Sequence, residues 1–387
     1  MRSRASIAIF LLGAGAFWNG GNVGPVAGQI AKAFSASLTS IGLLSGTVFF
    51  VVLVIFSLTA APATRAIGAA ATARIGCLLT AAGNVILAVA PAFWVLLVGR
   101  AIAGVGVALV VVIGPAIARA EGGVRMISVF GASVMFGVAA ALGLGGLLVE
   151  AGASWRLAFV ISAVVAIAAL PLLPARIEVR PPGHIPPGIV RKLIESPPEL
   201  RLLLLFTAAL AIPLVISAWL NRYLATAGGI RPGLAGVLAF SMFGISAVVR
   251  LGSGRLAAAG ASPALLAGAA PLVAAAGVAL VAVEPGLAGA VPGIVLMGCG
   301  FALPYAVMYD EAERLFPKAP VASLSFLSSG ANVIPIFAVP LVGSALESGD
   351  AEAAFIAMAA FVALAGLANL RPATRAVTDP RSAPRRR

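Results

Sequence analysis

Apolar runs of about 20 residues, the length that spans a hydrocarbon core, recur along nearly the whole chain, separated by short polar or Gly/Pro punctuation. Twelve such runs are predicted, at 5–31, 40–63, 75–91, 93–118, 126–149, 157–174, 202–222, 234–256, 264–283, 287–309, 320–346 and 353–370. Lipid offers no hydrogen bonds to an exposed backbone, so segments of this length and polarity read as helices. Composition removes the soluble alternative. Of 387 residues 61% are hydrophobic and 10% charged, against about a quarter charged in a soluble domain. Such a sphere could not cover itself with polar surface, which excludes a water-soluble enzyme.

The chain carries 26 Lys and Arg against 13 Asp and Glu, a balance that in a soluble protein would suggest nucleic acid. Membrane topology accounts for it instead. With the N-terminus inside the cell and twelve crossings, 20 cations sort to the inner side and four, Lys32, Arg156, Arg222 and Arg231, to the outer side. That asymmetry obeys the positive-inside rule and puts both termini in the cytoplasm. The excess charge then means attraction to anionic lipid, above all at the tail Arg385, Arg386 and Arg387, with no nucleic-acid partner. Arg2 and Arg4 precede a long apolar run with no small-residue cleavage site, so they are read as opening the first helix rather than a leader.

The longest charged interval, 175–201, divides the runs six and six. Its proline pairs disfavour a continuous helix, although Ile189 to Glu195 suits a short interfacial one. The expected organisation is a six-helix bundle over 1–174, a cytoplasmic linker over 175–201, a second six-helix bundle over 202–371 and a basic cytoplasmic tail over 372–387. The chain is therefore expected to be an all-α integral membrane protein of the plasma (cell inner) membrane, and a monomer.

Cys77 and Cys299 lie in separate apolar stretches and have the character of small buried hydrophobes, with no metal-ligand spacing. His184 sits among prolines, leaving no membrane-embedded histidine. Two cations fall within the runs, Arg100 and Arg250, and no acid joins them; Glu195 and Glu199 are assigned to the linker. An arginine at bilayer depth costs several kcal/mol unless it meets a partner or water. Each either binds backbone carbonyls at a helix break, snorkels to an interface, or presents its guanidinium to an anionic solute. Uncharged polar residues gather on the first run (Asn19, Asn22, Gln29), the eighth (Ser241, Ser246) and the eleventh (Ser325, Ser328, Ser329, Asn332), whereas the ninth and twelfth are nearly bare. Bare helices suit a lipid-facing rim and polar ones an interior. Gly20, Gly24 and Gly28 repeat every four residues on the first run, a spacing that lets helices approach closely. Tyr305 and Tyr309 follow Pro304, one turn apart and able to offer hydroxyls to a cavity; for Tyr309 an interfacial belt is favoured over that cavity role.

These features resemble the major facilitator superfamily over residues 5 to 371. Gly99-Arg100-Ala101-Ile102-Ala103-Gly104-Val105-Gly106 resembles the family's Arg-x-x-x-Gly-x-Gly pattern of helix four, and Trp155-Arg156-Leu157-Ala158-Phe159 its Trp-Arg-x-x-Phe at helix six. The loop after helix two has Thr64-Arg65 and Gly68 where the family has an Asp-Arg and a glycine. The loop after helix eight keeps Gly254-Arg255-Leu256 without the acid. Helix five reads Ala141-Leu142-Gly143-Leu144-Gly145-Gly146, similar to the antiporter Gly-Pro-x-x-Gly-Gly with Leu142 in place of Pro.

The resemblance implies two six-helix bundles around a central cavity, with alternating access by rocking one bundle against the other. Asn22, Arg100, Arg250, Tyr305 and Asn332 are then the expected substrate-binding residues, and Arg65, Gly68 and Arg255 the gating-loop residues. The function expected is a secondary or facilitative transporter of a small anionic or zwitterionic solute. The alternatives are an exporter of hydrophobic, drug-like compounds and, more remotely, a non-transporting receptor. No catalytic residue, metal or cofactor is expected: without an embedded His, Asp or Glu there is neither a ligand set nor an acid/base pair.

Overall fold

The computed structural model describes residues 2–57, 60–173, 188–317 and 319–370. His184, Arg176 and Arg180 of the linker, Lys318 and the tail from Arg371 to Arg387 lie outside the described residues. Helices make up all the regular structure among the described residues. Ten are long and apolar enough to cross a membrane: α2 Leu38–Ser57, α3 Ala69–Val89, α4 Phe93–Gly123, α5 Met126–Glu150, α7 Pro197–Thr226, α8 Pro232–Ser253, α9 Ala264–Val283, α10 Leu287–Leu315, α11 Ala322–Ser348 and α12 Ala351–Leu370. Two further crossings complete the set. One is α1, which runs Arg2–Phe17 and resumes as Ala27–Phe34, and the other is the short apolar α6, Trp155–Ile167.

The first run was expected to be one helix and is not. Gly20, Gly21, Gly24 and Pro25 follow one another there, and a helix tolerates neither a missing N–H nor so many glycines without breaking. The side chain of Asn19 repairs part of the damage by donating to the carbonyls of Gly15 and Ala16. Between α4 and α5 the chain turns at Gly123, whose φ of +63° favours glycine. The seventh crossing starts earlier than expected, at Pro197, because Ser196 caps it: the Ser196 hydroxyl accepts from the backbone N–H of Glu199 at 3.4 Å. A separate short helix, Ile189–Ile194, lies before it, as the sequence suggested.

Helices α1 to α6 pack among themselves, as do α7 to α12, and the two bundles meet along α1 with α7, α2 with α11, and α5 with α8. Near the side where α1 begins and α12 ends, the segments Tyr305–Leu315 and Pro320–Ala331 pack mainly within their own bundle. Toward the far side the bundles press together. A Cβ on Gly42 would strike the Pro340 backbone, and one on Gly46 would lie 2.8 Å from the Pro335 carbonyl, so the α2–α11 seam is as close as backbones allow. Thr47 donates to the Ile336 carbonyl at 2.6 Å, Asn221 to that of Leu142 at 3.2 Å, and Arg231 pairs with Glu150 at 3.5 Å.

Three crossings contain a widened turn of π type: Leu43–Val48 in α2, Thr207–Ala211 in α7 and Ala264–Ala269 in α9. Such turns leave backbone carbonyls without their usual partners and recur at functional sites. Two of the three face an arginine.

Candidate functional site

Arg100, on α4, is 1% exposed. Its Nη2 donates to the carbonyl of Asn19 at 2.8 Å, at the break in α1, and to that of Ser45 at 3.2 Å, inside the widened turn of α2. Its Nη1 donates to Asn22 Oδ1 at 3.2 Å, and the guanidinium lies 4.1 Å from the centre of the Phe49 ring. The network extends outward. Asn22 Nδ2 donates to Asn84 Oδ1 at 3.2 Å and Ser162 Oγ at 3.0 Å, and Asn84 Nδ2 returns to Asn19 Oδ1 at 2.8 Å. Five helices of the first bundle, α1, α2, α3, α4 and α6, are tied through one cation whose charge is met by oxygen dipoles and a ring face rather than by an acid.

Arg250, on α8, repeats the plan with fewer partners. Its Nη2 donates to the Ala209 carbonyl, inside the widened turn of α7, but at 3.5 Å, the limit of a hydrogen bond. The guanidinium lies 4.6 Å from the centre of the Tyr305 ring. Nε is buried without a partner, as is that of Arg100, and for neither arginine is a carboxylate among the described residues within ion-pair distance. The side chain as a whole is half-buried. Tyr305 sits where α10 restarts after the Leu303-Pro304 break, and its hydroxyl reaches across to the first bundle, 3.3 Å from where a Cβ on Gly131 would be. Above it Phe136 of α5 packs on Phe10 at 5.3 Å and edge-on to Phe240 of α8 at 6.3 Å, with 42% of its surface exposed.

The five expected substrate-binding residues therefore divide. Asn22 and Arg100 bind each other inside the first bundle, where both are buried and engaged in the network. Arg250 and Tyr305 are brought together in the second bundle. Asn332 marks the break in α11, between Ala331 and Val333, where that helix packs against the widened turn of α7. Tyr309 is not in an interfacial belt: it lies between Tyr305 at 4.9 Å and Phe206 at 5.4 Å, inside the second bundle. The gating-loop residues Arg65 and Arg255 are exposed at the near side and form no ion pair among the described residues. Gly68 links the helix Ala60–Ile67 to α3 with φ +83°.

Sequence reasoning missed Asn84 and Ser162, isolated uncharged polar residues that belong to no motif. It also missed Glu199, which the early start of α7 carries into the bundle, where it is fully buried. The Ser196-x-x-Glu199 spacing, a helix-start signature, was the signal for it.

A model of the Major Facilitator Superfamily matches residues 9–326. Solved structures share the fold along nearly the whole chain. A bacterial homolog of the human lysosomal transporter Spinster, inward-facing and unoccupied, has 18% identity and a TM-score of 0.74, with 95% of this chain and 96% of that chain covered. The xylose transporter XylE from E. coli, inward open, has 12% identity and a TM-score of 0.75, with 95% of each chain covered. The nucleoside transporter NupG has 14% identity and a TM-score of 0.75, with 95% and 99% covered. At such identities the likeness is one of fold. No curated protein matches the sequence.

Proposed function

The chain belongs to the Major Facilitator Superfamily, a family of membrane transporters, and from that premise we propose that it moves a small organic anion across the membrane by alternating access, with Arg250 meeting the solute. The observation that carries this reading is the poverty of Arg250's own contacts: a single hydrogen bond at 3.5 Å and a ring face, with no carboxylate. A cation at membrane depth with unspent donors gains most from an anionic ligand, and a carboxylate would meet its fork in bidentate fashion. Tyr305 adds a hydroxyl beside the charge. Phe136 and Phe240 add apolar surface for the rest of the solute, and they favour a second reading, export of amphipathic drug-like compounds.

The near side is the cytoplasmic one in this reading, since the basic residues gather there. The bundles are pressed together on the far side, so solute reaches Arg250 from the cytoplasm in the conformation described, as in an inward-facing transporter. A thermal-shift screen of the purified protein against small carboxylates, phosphates, neutral sugars, nucleosides and hydrophobic cations tests the reading. Selective stabilisation by anions is expected, because a ligand that binds only the folded state raises its apparent stability. Stabilisation by neutral or cationic compounds alone would defeat the anion assignment while leaving the transporter fold intact.

A further inference from the structure

Glu199 is one of two charged residues fully buried among the described residues, the other being Arg100. Arg100 has three oxygen partners and one ring; Glu199 has one hydroxyl. Its Oε1 accepts from the Ser323 hydroxyl of α11 at 2.6 Å, and its Oε2 is buried with no partner. The classical return of such a glutamate to the backbone of its capping serine is not made; the side chain reaches across to a neighbouring helix instead. A full negative charge held by one hydroxyl, away from water, is strongly disfavoured, and a proton is the smallest ligand that removes it.

Among the described residues no cation pairs with Glu199 in place of that proton. Among the elements packed on the start of α7, the short helix Ile189–Ile194 carries Arg191 and Lys192, with Glu195 just beyond it, all exposed, and Arg191 pairs with Glu195 at 2.7 Å. On α10, Arg314 pairs with Asp310 at 2.8 Å and Glu313 is exposed. Arg201, Glu311 and Arg314 line a separate cavity of about 200 Å³ that Glu199 does not line. On α12, Asn369 donates to the Arg201 carbonyl, and Lys318, before α11, lies outside the described residues. Among the described residues none of these charged groups pairs with Glu199.

We propose that Glu199 and Ser323 form a proton-binding site that clasps the near segment of α11, Pro320–Ala331, to the start of α7, and that loss of the proton releases it. The segment is free to respond, because α11 breaks at Asn332 and α10 breaks at Pro304, isolating the near ends of both helices from the tight far-side seam. The sign follows from linkage. The clasped state holds the neutral acid, so falling pH tightens the clasp, and rising pH, which favours the ionised and hydrated side chain, opens it. The site supplies the chain with a proton-sensitive element at the near side, whatever solute it carries.

Hydrogen–deuterium exchange on the full-length protein in nanodiscs reads this without a solute, so its failure is separate from failure of the anion assignment. After correction for intrinsic exchange, uptake by peptides from 322–331 should rise with pH by up to about tenfold per unit once Glu199 ionises. Glu199→Gln, a mimic of the protonated acid, should keep the segment protected and remove the pH response. Ser323→Ala should also flatten the response, but at high uptake. A wild-type profile independent of pH overturns the proposal, with no variant needed. So does a pH response that survives Glu199→Gln.

Discussion

Arg100 and Arg250 are two answers to one physical problem. Both are arginines on a membrane helix, both donate to a carbonyl within a widened turn of a neighbouring helix, and both lie against an aromatic face. They part in the number of remaining partners. Arg100 adds the Asn19 carbonyl and Asn22, and its network reaches Asn84 and Ser162. Arg250 adds no further partner among the described residues. On the function proposed above, the first arginine serves as a structural tie and the second as the cation that meets the solute. Presence of an arginine in a membrane helix does not by itself separate these roles; the count of its oxygen partners does.

The comparison can be broken in three places. Arg100→Ala leaves the Asn22 amide oxygen and the Asn19 and Ser45 carbonyls buried without a donor, and is expected to destabilise the protein by roughly 3 kcal/mol or more. Thermal unfolding in detergent should show a marked fall in Tm. Arg250→Ala is expected to act the other way round: Tm close to wild type, and uptake of labelled anions into proteoliposomes reduced about tenfold or more, equivalent to about 1.4 kcal/mol. If both variants lost stability equally, the two sites would not differ as described. The smallest effect is expected from Tyr305→Phe, which keeps the ring under Arg250 and removes only a hydroxyl. A two- to fivefold rise in KM, from a hydrogen bond of about 0.5–1 kcal/mol, with kcat unchanged, would place that hydroxyl on the solute.

Much of the fold was legible because lipid leaves a chain few options. A membrane crossing must be apolar, helical and of a set length, so the runs located α2 to α5 and α8 to α12, with boundary differences reaching six residues at the ends of α2 and α10 and the start of α3. The Trp155-Arg156 pair was legible as a motif, and the structure supplies its reason. Arg156 lies over the Trp155 ring at 4.5 Å and donates to the carbonyls of Ala88 and Ala90, capping the end of α3 against α6. What could not be read were features made by backbone alone. The widened turns in Leu43–Val48 and Thr207–Ala211 have no side-chain signature, so the carbonyls that distinguish the arginines were invisible. Glu199 was misassigned for a different reason. Proline pairs suggested a loop, yet proline is well placed in a first helical turn, and the Ser196 cap starts α7 at Pro197, just before them.

The most direct measurement is dicarbonyl labelling of arginines in the intact protein in membranes, read by peptide mass spectrometry with and without a stabilising anion. Modification of Arg250, suppressed by that anion, with Arg100 unreactive until the protein is unfolded, is the predicted result. A reactive Arg100 beside a silent Arg250, or labelling of Arg250 that no anion suppresses, would contradict the assignment of the solute to the second bundle.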